Sequence, residues 1–512
     1  MFEAQRQWSY RLGSFPEHFR YQYVLSEANE DIEGFAQKQA GGWHIHTGPK
    51  LPVTNITDRN GVDLGFLLGI AVDPKGLVTE LPLNANDPKF WTRFESYLVE
   101  VAGRYAFVVN IKKKTRLYTD PVGMIGAVYN KSDRFVASSP LLAIKRPIDQ
   151  NPLYDPAVIA EQGGRYSLFH TADRSVRRLN PNHCLDLGTF SETRFWPKET
   201  RFDEPPEAPL STYDSIIQTA RHNIEAVSSA YPCALPVSGG QDSRLLLGFA
   251  QPHLPKIEQV YTHINNYATR RDAAIGRQLC DAVGVAHHVH DRRDYDMTRK
   301  EVRLMTRAYQ IAYGAPSAPP MEYLNGVIKG VPEDHVILRG HQTDLLRAVF
   351  VFKSKRHWSN PDWQIERLLI VPRKEFSPEI ADRFRAEFKL WQDALPEAAR
   401  AKAVDFMFLE VYYNATIGAS FPALWRNFYI SPFNSRRLIS LALQFDEKTR
   451  RASTPVFEMI ELMNPALAKV PFDFEHVAAL DLLGQAENDE AVTAKRRAKT
   501  LSSLSKYQSG SH

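Results

Sequence analysis

Cys233-Ala234-Leu235-Pro236-Val237-Ser238-Gly239-Gly240-Gln241-Asp242-Ser243 joins a short apolar run to the first turn of an apolar helix that stops before Pro252. The run reads as a buried strand. Two adjacent glycines let the chain turn tightly and bring backbone N–H groups against an anion without side-chain interference. Ser238, Ser243 and the positive end of the following helix add donors and charge suited to phosphate oxygens. The spacing lacks the Gly-Lys-Ser/Thr ending that cradles a γ-phosphate. Asp242 sets a carboxylate beside the phosphate site, which makes sense when a cation lies between them. A plain strand-to-helix turn capped by serine is the simpler alternative.

Outward from this loop the pattern alternates. Upstream, Ser211 or Thr212 caps a helix with apolar Ile216, Ile217, Ala220, Ile224 and Val227 at three- and four-residue spacing. Downstream come a strand near 257–262, a helix near 271–283 stopped by Gly284, the run VAHHV (285–289) and the run HVILRG (335–340). Strands separated by helices predict a parallel sheet with right-handed crossovers. The rest, to about Leu483, is mostly helical. Residues 65–139 differ: GFLLGIAV, RYAFVVNI, TRLYTD, GAVYN and RFVAS are short strands of a meandering sheet. The proline-rich stretch RFDEPPEAP reads as a linker.

The expected domains are therefore 1–200, a linker at 201–210, a second domain at 211–485, and a basic, mobile tail at 486–512. With 512 residues, 43% apolar and 24% charged, the composition is that of a globular chain rather than a disordered or fibrous one. A net charge of +4 is too small for this size to point to nucleic acid. Three cysteines, Cys184, Cys233 and Cys280, lack metal-ligand spacing and make an odd set, which suits a reducing cytoplasm. No apolar run is long enough to cross a membrane, so no membrane partner is expected.

The loop Arg339-Gly340-His341-Gln342-Thr343-Asp344 also follows an apolar strand, at the carboxyl edge of a parallel sheet where ligands bind. There Asp344 can meet Asp242. Two carboxylates with phosphate oxygens and waters suit octahedral Mg²⁺. A helix-capping role is the alternative for Asp344. Histidine titrates near neutrality, so His341 is a candidate proton acceptor or, equally, a structural residue.

The segment SGGQDS resembles the pyrophosphate-binding loop (PP-loop) of the ATP pyrophosphatases, and within them the chain resembles the asparagine synthetase family with its β-lactam synthetase branch. GRYAFVVNIKKKTRLYTDPVGMIGAVYNKSDRFVASS (103–139) is similar to the core of a glutaminase-like domain, and SVRRLNPNHCLDL with RFWP to its closing segment. VILRGHQTDLLRAVF (336–350) is similar to the second metal-binding loop, and ISPFNSRRLISLAL (430–443) to the start of a helix near the carboxyl end. The resemblance implies an α/β plus α+β fold: an N-terminal Ntn-hydrolase-like sheet sandwich, then a PP-loop parallel-sheet domain of the adenine nucleotide α-hydrolase-like type with a helical C-terminal part. It implies ATP and Mg²⁺ as cofactors, with Asp242 and Asp344 on the metal. Ser238, Gly239, Gly240, Ser243 and Gly340 would lie at the phosphates, and Val260, Tyr261 and Thr262 at adenine. Arg271 and Asp272 could approach ribose or phosphate, although a dipole-favoured acid at a helix start also explains Asp272.

Departures from the family bear on activity. Class II glutamine amidotransferases need cysteine directly after the initiator methionine, and this chain has Phe2. The glutaminase reaction is expected to be absent, with internal Cys184 a packing residue. At position 341, asparagine synthetases carry glutamate and β-lactam synthetases a tyrosine that takes the proton of the attacking nitrogen. The family lysine that steadies the adenylate aligns with Asp473, leaving Lys469 after a shift, or Lys495 of the tail, as substitutes. The leading expectation is an amidoligase that adenylates a small carboxylate and passes the acyl group to ammonia or a substrate amine. The alternatives are a nucleotide-binding descendant without catalysis and a tRNA-modifying PP-loop enzyme. A homodimer is left open.

Overall fold

The computed structural model describes residues 1–161, 163–198, 202, 206, 208–349, 377–475 and 485–508. They form two compact units. The first takes the described residues within Met1–Arg201, Thr298–Pro320 and Lys353–Phe428, and the second those within Phe202–Met297, Met321–Phe352 and Tyr429–His512.

The first unit contains two sheets. One has six antiparallel strands in the order 176–178, 128–130, 135–137, 23–26, 43–47, 36–40. The other runs 191–194, 183–186, 114–119, 102–111, 63–73, 53–58, 80–81, antiparallel except for its last pairing. The single meander expected over 65–139 is thus split between sheets. Asp120 makes the break: its buried carboxylate accepts from the N–H groups of Val122, Met124 and Ile125 at 3.3, 2.9 and 3.0 Å, closing a turn that redirects the chain. Phe2 is fully buried, with its ring 5.1 Å from that of Phe135 and Lys145 over its face. Position 2 is therefore a core residue.

Residues 298–320 and 377–428, expected in the second domain, pack in this unit instead. Their buried polar groups find partners there. Gln22 donates to the carbonyl of Ala312 at 3.1 Å. Glu410, in a π-helical turn over Phe408–Tyr413, accepts from Asn180, Asn182, Arg194 and Trp391. Helical periodicity states that a helix has an apolar face, and leaves open what covers it.

The second unit is built on a five-stranded sheet: β1 Cys233–Pro236, β2 Gln259–Ile264, β3 His288–Asp291, β4 Val336–Leu338 and β5 Phe428–Ile430, in the order β3-β2-β1-β4-β5. β2 and β4 both pair parallel with β1, and β3 pairs parallel with β2. The order reverses direction between β1 and β4. Loops leaving their carboxyl ends must diverge there, and the crevice between them is where ligands bind in such sheets.

Helix α1, Pro209–Ala230, starts slightly earlier than expected because Pro209 fits a first helical position, and it buries Ile216, Ile217, Ala220, Ile224 and Val227. Of the expected linker, residues 201, 203–205 and 207 lie outside the described residues. Helix α2, Gln241–Ala250, follows the glycine loop directly. Helix α3, Tyr267–Val283, begins four residues before the expected start, at a capping box on Asn266, and ends at Gly284 with φ +71°.

The expected mobile tail is corrected over 486–508, where Gln485–Gln508 is a helix, and residues 509–512 lie outside the described residues. Its arginines are partners of buried acids. Arg496 pairs with Glu475 at 2.7 Å and Arg497 with Glu461 at 2.6 Å. A run of basic residues reads as solvated only until its counter-charges are seen. No helix of the described residues is long and apolar enough to cross a membrane.

Candidate functional site

At the carboxyl edge of the sheet the loops after β1 and β4 line a cavity of about 350 Å³. Of the residues expected at the site, Ser238, Gly240, Asp242, Ser243, Tyr261, Thr262, Gly340, His341 and Asp344 are brought together in its lining. Gly239 and Val260, also expected at the site, are not among the residues that line it. A side chain on Gly239 would meet Ile275 Cδ1 at 2.6 Å and Asp473 Cβ at 3.1 Å, so a larger residue there requires Ile275 to shift. Val260 is buried within the sheet opposite Leu235. A side chain on Gly340 would stand 2.8 Å from the carbonyl oxygen of Asp242, and its absence lets the two loops touch.

The glycine loop is closed by hydroxyls. Ser243 Oγ lies 2.9 Å from Ser238 Oγ, and accepts from the Ser238 N–H at 3.2 Å. The Gly239 N–H donates to Asp272 at 2.9 Å. Asp272, in the second turn of α3, thus sits on a donor suited to an anion. Burial, with Asp473 nearby, raises its pKa.

Asp242 occupies the first turn of α2. The second carboxylate comes from a 3₁₀ turn, Thr343–Arg347, bracketed by the left-handed residues Gln342 (φ +69°) and Ala348 (φ +48°). Residues three apart eclipse on such a turn, so Asp344 and Arg347 meet at 2.7 Å. Arg347 also grips both oxygens of Asp242, and Thr343 donates to Asp242 Oδ1 at 2.8 Å. Burial and the adjacent Asp344 charge push the Asp242 carboxyl above the usual range. A cation between the two acids removes that cost. Among the described residues no cluster of three or more His, Cys, Asp or Glu forms. Two carboxylates alone fit Mg²⁺, which dehydrates reluctantly and completes its shell with waters and substrate phosphates.

His341 lies in the cavity wall, but burial, helped by the charge of Arg339, pushes its pKa down to about 3. The expectation that it titrates near neutrality is corrected: the imidazole is neutral and weakly basic. Lys469 is exposed at the end of a short helix, Pro465–Lys469, and Lys495 is exposed on the last helix; the cavity is lined by neither. The reason is Arg244. Its buried guanidinium donates to the carbonyls of Leu467, Val470 and Pro471 at 3.2, 2.5 and 2.7 Å and lies 3.6 Å over Phe472. That clamp faces the backbone of 467–472 inward. It brings the Asp473 N–H to the Gly239 carbonyl at 3.1 Å.

Sequence reasoning missed His263, Asn265, Glu322, Arg339 and Tyr429 in the wall. His263 is one residue beyond the predicted adenine strand, and burial pushes it down to about 3. Glu322 and Tyr429 carried no local signal. Arg347 did: an Asp and an Arg three apart face each other on a tight turn. A search of the curated proteins finds no match to the chain. The family model for asparagine synthase matches residues 224–449, a stretch that includes both carboxylate loops.

Proposed function

We propose that the chain is an ATP- and Mg²⁺-dependent amidoligase that adenylates a small carboxylate and transfers the acyl group to ammonia or a substrate amine. One observation carries this reading. Two loops about a hundred residues apart in sequence bring the carboxylates of Asp242 and Asp344 together, both on the guanidinium of Arg347, at the switch point of the sheet. The carboxylate oxygen attacks the α-phosphorus, pyrophosphate leaves, and the nitrogen then attacks the acyl carbon with loss of AMP. Mg²⁺ would neutralise phosphate charge as the pyrophosphate departs. Asp242 and Asp344 would hold it, while Ser238, Ser243 and the amino end of α2 orient the phosphates. Tyr261 and Thr262 would flank the base. The rest of the catalysis is alignment.

Cys233 and Cys280 are pushed up to about 12 by burial, so neither supports a thiolating, tRNA-modifying reaction. A nucleotide-binding protein without ligation is the second reading, favoured by exposed Lys469 and the weak base at His341. Exchange of labelled pyrophosphate into ATP, run with purified chain and a panel of carboxylates, separates the two. Carboxylate-dependent exchange supports ligation, and its absence with tight Mg²⁺·ATP binding supports the second reading.

A further inference from the structure

The reaction outlined above leaves Arg347 without a part, yet this residue holds both acids on which it depends. Its Nε donates to Asp242 Oδ1 at 3.1 Å, while Nη2 donates to Asp242 Oδ2 and, at 2.7 Å, to Asp344 Oδ1. A hard divalent cation seeks the same oxygens. The guanidinium and the metal are therefore competitors. We propose that Arg347 is the resident counter-cation of the Asp242–Asp344 pair, that a divalent metal displaces it, and that the released guanidinium then engages the phosphates of the bound nucleotide. The second half rests on the Mg²⁺·ATP reading of the cavity.

Charge balance carries that half. The described lining residues include the acids Asp242, Asp272, Glu322 and Asp344, and Arg339 is their one permanent cation. Burial holds His263 and His341 neutral. A polyanionic triphosphate entering this wall needs further positive charge. Arg347 is the guanidinium already at the metal carboxylates, and its planar fork matches phosphate oxygens. The side chain is 25% exposed, so it can turn without unpacking the core.

The test titrates Mn²⁺ into the nucleotide-free full chain and follows the free-ion EPR signal for the parent, Arg347→Gln and Arg347→Lys. Arg347→Gln should bind Mn²⁺ at least about tenfold more tightly, because truncation removes the guanidinium that competes with the metal for both carboxylates. Arg347→Lys, which keeps the charge and loses the fork, should fall between and serves if the glutamine variant melts too early. In pyrophosphate exchange at saturating Mg²⁺, Arg347→Gln should be slower by at least about tenfold. Equal Mn²⁺ affinity in parent and variants would overturn the counter-cation role. Tighter Mn²⁺ with undiminished exchange would overturn the transfer to phosphate. A parent that neither binds Mg²⁺·ATP nor forms AMP, beside a variant with tightened Mn²⁺ binding, overturns the function reading and the transfer while the counter-cation role stands.

Discussion

Glu410→Gln should unfold the first unit at markedly lower denaturant concentration. The carboxylate is fully buried and accepts from Arg194 at 2.6 and 2.9 Å, Asn180 at 2.9 Å, Asn182 at 3.1 Å and the Trp391 indole at 2.8 Å. Burial alone would raise its pKa. The Arg194 charge and hydrogen bonds overcome that and hold it at about 2, against an ordinary 4.5. That depression corresponds to stabilisation on the order of 3 kcal/mol. The amide would lose the charge and aim an NH₂ group at donors, leaving the Arg194 guanidinium buried without a counter-charge, so a loss of about 3–5 kcal/mol is expected. Because the folded-state pKa is depressed, the contribution is complete above about pH 4.5 and disappears as pH falls through about 2. Urea unfolding followed by tryptophan fluorescence, repeated from pH 7 to pH 2, reads both effects, since Trp391 reports on the site directly. A loss below about 1 kcal/mol at pH 7, or parent and variant curves that fail to converge in acid, would refute the reasoning.

Asp242→Asn keeps the shape of the site and removes one charge from the cation, so AMP formation should fall at least about a hundredfold with the thermal midpoint little changed; normal AMP formation would remove Asp242 from the metal. With Phe2 packed into the core, glutamine should not be hydrolysed and any amide nitrogen should come from free ammonia or an amine, checked by glutamate release from homogeneous protein. His341→Ala should spare pyrophosphate exchange and slow product formation by about 10²- to 10⁴-fold if the imidazole takes the proton of the attacking nitrogen. Held at about 3, His341 stays neutral as pH rises above that value, so the parent's acyl-transfer rate should show no histidine break near 6.5. Such a break, lost in the alanine variant, would contradict the burial argument.

The parallel sheet and the two carboxylate loops were legible because each has a local cause: a buried strand, a glycine that permits close approach, and a turn at a sheet edge. Nine predicted residues line the cavity. What escaped was long-range. Lys469 looked available because spacing says nothing of Arg244, which lies more than two hundred positions away and turns that backbone inward. The basic carboxyl-terminal run looked solvated because Glu461 and Glu475 were not yet its neighbours. His341 looked neutral-range because a histidine's pKa is set by what buries it. Residues 298–320 and 377–428 were assigned by sequence adjacency, whereas their polar anchors, Ala312 and Glu410, pair within the first unit.

The Arg244 clamp makes the glycine loop and the last described helix one mechanical piece. A pull on the last helix passes from Arg496 to Glu475 and the Ala468 carbonyl, from the 467–472 backbone to Arg244, and from Asp473 to the carbonyl of Gly239. Each link is a hydrogen bond to a backbone carbonyl or a carboxylate. A fusion, cut or partner that displaces the carboxyl-terminal helix would therefore be felt first in the shape of the glycine loop, and under the proposed function in nucleotide affinity, before any loss of the sheet itself.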